Sequence, residues 1–157
     1  MRQKIIKIKD VMVEQVIAVG ERATLEEITK LLVKHNISGV PVVSAEDKLL
    51  GVVSEKDLFR TIYPDFQDII TDVRLWLLSG EKLHANMERK KNVLARKMMT
   101  RRVLSVKPDD SILRCGSLML LNDIHRFPVL DGQGRVVGIV TRRDIFRRLL
   151  KAGMRGI

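Results

Sequence analysis

Two short segments place a hydroxyl and a carboxylate at the same spacing. They read Gly51-Val52-Val53-Ser54-Glu55-Lys56-Asp57 and Gly138-Ile139-Val140-Thr141-Arg142-Arg143-Asp144. A hydroxyl followed three residues later by an acid is the pattern of a helix capping box, which serves stability alone. A carboxylate at a helix N-terminus can also accept hydrogen bonds from both hydroxyls of a ribose, while the free amides there favour a phosphate. The segments therefore indicate either two helix caps or two sites for a sugar phosphate.

The two segments differ in charge. The first has Glu55-Lys56 where the second has Arg142-Arg143, and the strand before each follows Ser38-Gly39 in the first and His125-Arg126 in the second. Arginine binds phosphate oxygens with two parallel charge-assisted hydrogen bonds, whereas a glutamate repels them. We therefore predict that the cleft around Asp144 is the principal site. The alternative is that these arginines are solvated residues on the surface of a helix.

Other residues near each segment are candidates for contacts with a flat base. The strand that precedes each of these segments contains a proline, Pro41 or Pro128, which lacks an amide donor and so favours an edge strand. Main-chain groups beside an edge are free to pair with a base. Apolar side chains that could flank the base are those of Val16, Ile17, Val103 and Leu104.

These segments belong to a repeat. Adding 87 to a position in the first third of the chain gives a matching residue in the last third, without a gap in the alignment. The matched pairs include Met12 with Met99, Val16 with Val103, Pro41-Val42 with Pro128-Val129, Gly51 with Gly138, Asp57 with Asp144, and Phe59-Arg60 with Phe146-Arg147. Each copy predicts the order strand, helix, strand, strand, helix. The first strands are expected at 16–19 and 103–106, and the hairpins at 40–43 with 49–53 and 127–130 with 135–140.

Capping signals and apolar spacing predict the helices. Thr24 to Glu27 form a capping box before a helix with one apolar face, and Ser111 takes the cap position in the second copy. A unit of about sixty residues cannot bury a sheet face and two helices alone, so the copies are expected to pack on each other. Between them, 66–78 has apolar residues at helical spacing, and the charged stretch 81–91 is a further helix or a solvated connector.

Composition excludes several classes of protein. With 45% hydrophobic and 31% charged residues and no long apolar run or secretory signal, we expect a cytoplasmic protein without membrane contact. The single cysteine, Cys115, predicts no internal disulfide and reads as a buried hydrophobe. No nucleophile, phosphate-loop or metal-ligand motif appears, so we expect no catalysis and no metal.

The net charge of +10 raises the possibility of nucleic-acid binding. Residues 93–157 hold fourteen Lys and Arg against five Asp and Glu. Aromatic residues, on which bases stack, are only 4% of the chain, and no nucleic-acid motif is present. These two observations argue against this alternative. Binding to RNA or DNA with steep salt dependence and without nucleotide competition would favour it.

The repeated pattern Gly-hydrophobic-x-Ser/Thr-x-x-Asp, with its preceding proline, resembles that of cystathionine-beta-synthase-type (CBS) repeats. Two in tandem, over 10–62 and 93–151, resemble a Bateman module. We divide the chain into repeat one (1–62), a helical insert (63–92) and repeat two (93–157). The resemblance implies an α/β fold of two pseudo-symmetric β-α-β-β-α repeats packed sheet to sheet. It also implies two clefts for AMP, ADP, ATP or S-adenosylmethionine.

The resemblance implies a role for each site residue. Asp57 and Asp144 would hold ribose hydroxyls, and Ser54 and Thr141 would contact ribose or phosphate. The residues that would line the base are Ile37, Ser38, Gly39 and Pro41 in the first copy and Ile124, His125, Arg126, Phe127 and Pro128 in the second. The expected function is a regulatory sensor that forms a homodimer of stacked repeats and acts on an unidentified partner, without a required cofactor. The alternative is a basic nucleic-acid-binding or partner-docking scaffold that senses no nucleotide.

Overall fold

A computed structural model describes residues 5–63 and 80–153 of the chain, and within the helix at 80–90 it leaves out the side chains of 81–83. The chain divides into two compact units that are interleaved in sequence. We call Ala18–Ser44 with Leu50–Arg102 the first-repeat unit. We call Met1–Ile17, Ala45–Leu49 and Val103–Ile157 the second-repeat unit. Both names refer to the described residues alone.

The first-repeat unit is built on a three-stranded sheet in the order β1-β2-β3. Strand β1 runs parallel to β2, with Val19 opposite Val42. The elements are β1 (Val19–Gly20), α1 (Leu25–His35), β2 (Gly39–Val43), β3 (Leu49–Ser54), α2 (Glu55–Ile62), α3 (Gly80–Lys90) and α4 (Ala95–Met98).

Helix α1 shows how the sequence sets local structure. The Thr24 hydroxyl accepts a hydrogen bond from the Glu27 amide, and the Glu27 carboxylate accepts one from the Thr24 amide, so the predicted capping box is confirmed. The helix ends at Asn36, which adopts the left-handed conformation that asparagine tolerates. Its apolar stripe buries Leu25, Ile28 and Leu32.

The second-repeat unit repeats this plan with an antiparallel hairpin. Its elements are a 3₁₀ turn (Ile8–Asp10), α5 (Ile112–Leu121), β4 (Arg126–Leu130), β5 (Val136–Thr141) and α6 (Arg142–Gly153). Phe127 pairs with Val140, and both lie in the core, together with Ile8 and Cys115. Burial raises the pKa of the Cys115 thiol to about 11, so it stays protonated, and its predicted role as a buried hydrophobe is confirmed.

The opening segment of each repeat packs within the unit named for the other repeat. Val13 pairs with Ile139 in β5, and Thr100 pairs with Val52 in β3. This exchange explains the glycine of each motif, because the opening segment lies too close to leave room for a side chain there. A Cβ on Gly51 would lie 2.8 Å from the Thr100 carbonyl oxygen, and one on Gly138 would lie 2.7 Å from Met12 Sδ.

The α/β class with two repeated units is confirmed, with corrections to the first strands. The strand predicted at 16–19 is only Val19–Gly20, and that predicted at 103–106 is reduced to one bridge between Val106 and Val129. These segments are short because few of their residues lie beside the next strand. The helical alternative for 81–91 is confirmed, whereas the helix predicted at 66–78 lies outside the described residues.

Two predictions about organisation remain predictions. The division at 1–62, 63–92 and 93–157 follows the repeat in the sequence, whereas the compact units exchange their opening segments. The sheet-to-sheet packing of the repeats also remains an expectation. Within the described part of the chain, no helix is both long enough and apolar enough to cross a bilayer.

Candidate functional site

In the first repeat, Ser54 and Asp57 form a capping box at the N-terminus of α2. The Ser54 amide donates to Asp57 Oδ2 at 2.8 Å, and the Ser54 hydroxyl donates to the same oxygen at 2.6 Å. The Asp57 amide in turn donates to Ser54 Oγ at 3.4 Å. The structural use of this motif, which the spacing predicted as one of two alternatives, is therefore present.

The second repeat contains the same box at the N-terminus of α6. The Thr141 amide and hydroxyl donate to Asp144 Oδ2 at 2.8 and 2.6 Å, and the Asp144 amide donates to Thr141 Oγ1 at 3.3 Å. Each hydroxyl donates its one hydrogen bond to the aspartate of its own capping box. Ser54 and Thr141 can therefore offer a ligand only a remaining lone pair, while the boxes keep this geometry.

The two carboxylates differ at their second oxygen. Asp57 Oδ1 accepts a hydrogen bond from the Thr100 hydroxyl at 3.2 Å, and Arg60 Nη1 lies 3.9 Å away. Asp57 is only 6% exposed. Buried carboxylates need such partners because an unpaired charge in the interior is costly. Asp57 is thus satisfied by its own protein at both oxygens.

Asp144 keeps one oxygen open. It is half-buried, and no residue in the described part of the chain donates a hydrogen bond to its Oδ1 or forms an ion pair with it. The position equivalent to Thr100, 87 residues earlier, is Val13, which is 52% exposed and has no hydroxyl. Asp144 can therefore accept further hydrogen bonds from a ligand.

The cationic residues around Asp144 divide into two groups. Arg142 turns toward the loop before β4: its Nη2 donates to the Ile124 carbonyl at 3.2 Å and lies 3.6 Å from Asp123 Oδ1. Its Nε is buried without a hydrogen-bond partner among the described residues. Arg143 and His125 are exposed. The structure thus leaves Arg143 and His125 accessible, whereas Arg142 contacts this loop while its side chain stays 39% exposed.

Several residues predicted to line the base belong to the core. Phe127, Pro41 and Pro128 are fully buried, so their side chains lie in the core, and their contact with a base stays a prediction. Strand β2, which contains Pro41, is also the middle strand and not an edge strand. Its proline is tolerated because β1 pairs only with the residues that follow it, Val42 and Val43.

The remaining predicted residues are distributed between the two units. Val103, half-buried, and Leu104, 49% exposed, belong to the unit that contains Asp144. Val16 and Ile17 belong to that unit also, and not to the unit of Asp57. Gly39 is buried, while Ile37 and Ser38 line a mainly apolar cavity of about 560 Å³ between α1 and α2. Arg126 is half-buried at the start of β4.

Sequence reasoning missed Thr100. Its contact with Asp57 crosses 43 positions, and nothing in the local pattern predicts it. The offset of 87 carried a signal, because it pairs Thr100 with Val13 and so marks a place where a hydroxyl is present in only one copy. Among residues 5–63 and 80–153, no group of three or more His, Cys, Asp or Glu side chains is arranged to hold a metal ion.

Comparison with known proteins identifies the family. A family model described as the CBS domain matches the chain twice, at residues 8–64 and 95–151. The chain belongs to the CBS domain family. It is a tandem CBS pair, and such a pair is a regulatory module rather than a catalytic one.

Three relatives illustrate the range of proteins that this pair resembles. It is 37% identical to the uncharacterized protein MJ1426 of Methanocaldococcus jannaschii, over 94% of this chain and 93% of that protein. It is 29% identical to inosine-5'-monophosphate dehydrogenase of the same organism, over 93% of this chain but 24% of that enzyme. Among solved structures, the chain resembles the CBS domain pair of protein MJ0100, which was solved in complex with 5'-methylthioadenosine and S-adenosyl-L-methionine. That match has a TM-score of 0.69 and 26% sequence identity, and it covers 94% of this chain and 98% of that chain.

Proposed function

We propose that this CBS pair is a regulatory sensor that binds an adenosine compound at the second repeat. The observation that supports this most directly is the open Oδ1 of Asp144, at the N-terminus of α6. A carboxylate oxygen there can accept the hydrogen bonds of ribose hydroxyls, and the adjacent helix terminus favours a phosphate or another anion. One position thus combines recognition of a sugar with a preference for negative charge.

The ligand class follows from the resemblance together with the charges around the site. The CBS pair of MJ0100 is a complex with two compounds that share an adenosine group, which a ribose-binding carboxylate suits. Here Arg143 and His125 are exposed in the same unit as Asp144. We therefore propose AMP, ADP, ATP or S-adenosylmethionine as the ligand. The exposed Arg143 favours the phosphate-bearing compounds over the uncharged 5'-methylthioadenosine.

Titration calorimetry with AMP, ATP, S-adenosylmethionine and 5'-methylthioadenosine tests the site. We expect Asp144→Asn to weaken binding of the best ligand by about 10- to 100-fold, because hydrogen bonds to a charged group are worth about 1.5–3 kcal/mol. Asp57→Asn is the matched control and should change affinity little. No binding of any of the four compounds, or a larger loss in Asp57→Asn, would contradict the assignment.

The proposed sensor also forms a homodimer. Both units expose apolar side chains at positions related by the offset of 87: Val33 with Leu120, Phe59 with Phe146, and Tyr63 with Leu150. Their exposures run from 42% to 76%. Two repeats that present the same apolar pattern on their helices suit a symmetric partner, since a two-fold interface pairs a surface with itself. A second copy of this chain is the occupant that this repetition favours.

Sedimentation velocity of Phe146→Glu tests the dimer. A charge introduced into a buried interface is left unpaired. We therefore expect the wild type to sediment as a dimer and the variant as a monomer, with the same circular dichroism spectrum. Arg147→Glu, one position further along α6, is the control for the change in charge. A monomeric wild type, or a Phe146→Glu variant that still dimerises, would refute this interface.

The basic charge supports one competing function, binding to nucleic acid. Helix α6 exposes Arg143 and Arg147. Binding to RNA or DNA that falls steeply with salt, and that neither AMP nor Asp144→Asn affects, would replace the sensor with a basic scaffold.

A further inference from the structure

The two repeats allow a position-by-position comparison of their aspartates. Thr100 pairs with Val52, and Val13 pairs with Ile139, in both cases as an antiparallel bridge. The two partners, Val52 and Ile139, are themselves related by the offset of 87. The exchanged segments therefore lie in the same register, and Thr100 and Val13 occupy equivalent places beside Asp57 and Asp144.

At Asp57, that place holds a hydroxyl that already serves the carboxylate. Thr100 Oγ1 donates to Asp57 Oδ1 at 3.2 Å, which is the kind of bond that a ribose hydroxyl would make. Oδ2 is occupied by the amide and hydroxyl of Ser54, and Arg60 lies 3.9 Å from Oδ1. With Asp57 only 6% exposed, a sugar would have to displace Thr100 in order to reach it.

At Asp144, the same place holds a side chain that cannot donate. Val13 has two methyl groups where Thr100 has one methyl group and one hydroxyl, and it is 52% exposed. Asp144 is held by Thr141 at Oδ2 and has no donor to Oδ1 in the part of the chain that the structure describes. The two boxes are otherwise alike to within 0.1 Å in each hydrogen bond.

We infer that Thr100 is the residue that decides which repeat binds. Its hydroxyl occupies the position of a ribose hydroxyl at Asp57 and so prevents binding at the first repeat. The chain therefore binds one adenosine ligand, at Asp144. This inference rests on the proposed function. Displacing a hydrogen bond to a charged group lowers affinity by about 10- to 100-fold. The first repeat should therefore stay empty at ligand concentrations that fill the second.

A reciprocal exchange of the two residues tests the inference, with AMP as the probe and S-adenosylmethionine as the second probe if AMP does not bind. The wild type should bind one equivalent per chain in calorimetry. Thr100→Val should add a second equivalent, which Asp57→Asn abolishes. Val13→Thr should weaken the single wild-type site about 10- to 100-fold. Thr100→Ser, which keeps the hydroxyl, is the matched control and should remain at one equivalent.

The outcomes separate this inference from the proposed function. If the wild type and Thr100→Val bind neither these probes nor ADP, ATP or 5'-methylthioadenosine, the sensor itself is refuted. The wild type could instead bind two equivalents of ligand per chain, or bind one equivalent whose binding Asp57→Asn abolishes. In either case the proposed sensor function is supported and the role inferred for Thr100 is wrong. Should Thr100→Val fail to fold, Val13→Thr decides alone, because its exposed position tolerates a hydroxyl. Unchanged affinity in that variant would overturn the inference.

Discussion

The first and second repeats share the same box of hydroxyl and aspartate but use the aspartate differently. In the first, Asp57 is buried and bound by Ser54 and Thr100, so it stabilises the junction between β3, α2 and the segment after α4. In the second, Asp144 is half-buried and one of its oxygens is open. A motif that occurs twice in register therefore does not imply two equal sites. A residue outside the motif, 43 positions away, makes the difference.

The comparison extends to the cores, where the largest difference in stability is expected. Phe127 and Val40 are equivalent, and both are 0% exposed. Phe127→Ala should lower the free energy of unfolding by about 3–5 kcal/mol, because it leaves a large cavity. Val40→Ala removes two methylene equivalents and should cost about 2 kcal/mol. Urea denaturation without nucleotide, at one protein concentration, measures both. Equal losses would show that the two cores are not organised around these residues.

The glycines of the two motifs give the next contrast. Gly51→Ala should cost about 1–3 kcal/mol, because the new Cβ would lie 2.8 Å from a backbone carbonyl oxygen that cannot easily move. Gly138→Ala should cost less, because its nearest contact is Met12 Sδ at 2.7 Å, the end of a flexible side chain. Thermal unfolding monitored by circular dichroism ranks the two. The reverse order would mean that the second segment is the more rigid one.

Helix caps give a smaller difference between the repeats. Thr24 caps α1 through its side chain, whereas Ser111 makes no side-chain capping bond to α5. We expect Thr24→Ala to destabilise the protein by about 1 kcal/mol, and Ser111→Ala to stay within about 0.5 kcal/mol of the wild type. Denaturant midpoints at constant slope measure this. A loss for Ser111→Ala as large as that for Thr24→Ala would show that the second cap does form in solution.

The smallest expected effect depends on pH and belongs to the second repeat alone. Hydrogen bonds from Lys7 and Lys9 lower the pKa of Asp109 from 3.8 to about 2, while the equivalent position in the first repeat is Arg22. A depressed folded-state pKa gives stability that is complete above about pH 4 and is lost as the pH falls through about 2. At neutral pH, the wild type should be slightly more stable than Asp109→Asn. This difference in the free energy of unfolding should disappear near pH 2. Because both ion pairs of Asp109 are exposed, 1 M salt should also remove the difference. A difference in stability that persists in acid would exclude these ion pairs as its cause.

Local rules in the sequence were enough for much of this fold. The offset of 87 defined both repeats, and alternation, capping residues and turn residues predicted α1, both hairpins and the two closing helices. The boxes at Ser54 and Thr141 follow from a spacing of three residues at a helix start. Such features depend on neighbours within four residues, and a sequence pattern records those neighbours directly.

Tertiary structure alone decided the properties that separate the two repeats. The exchange of opening segments brings Thr100 to Asp57 and Met12 to Gly138, across 43 and 126 positions. The burial of Phe127, predicted to line a base, also depends on the residues that surround it in the core. Hydrogen-bond geometry and burial arise from which distant segments meet. The sequence therefore determined where a carboxylate lies, and only the folded chain decided whether that carboxylate is left open.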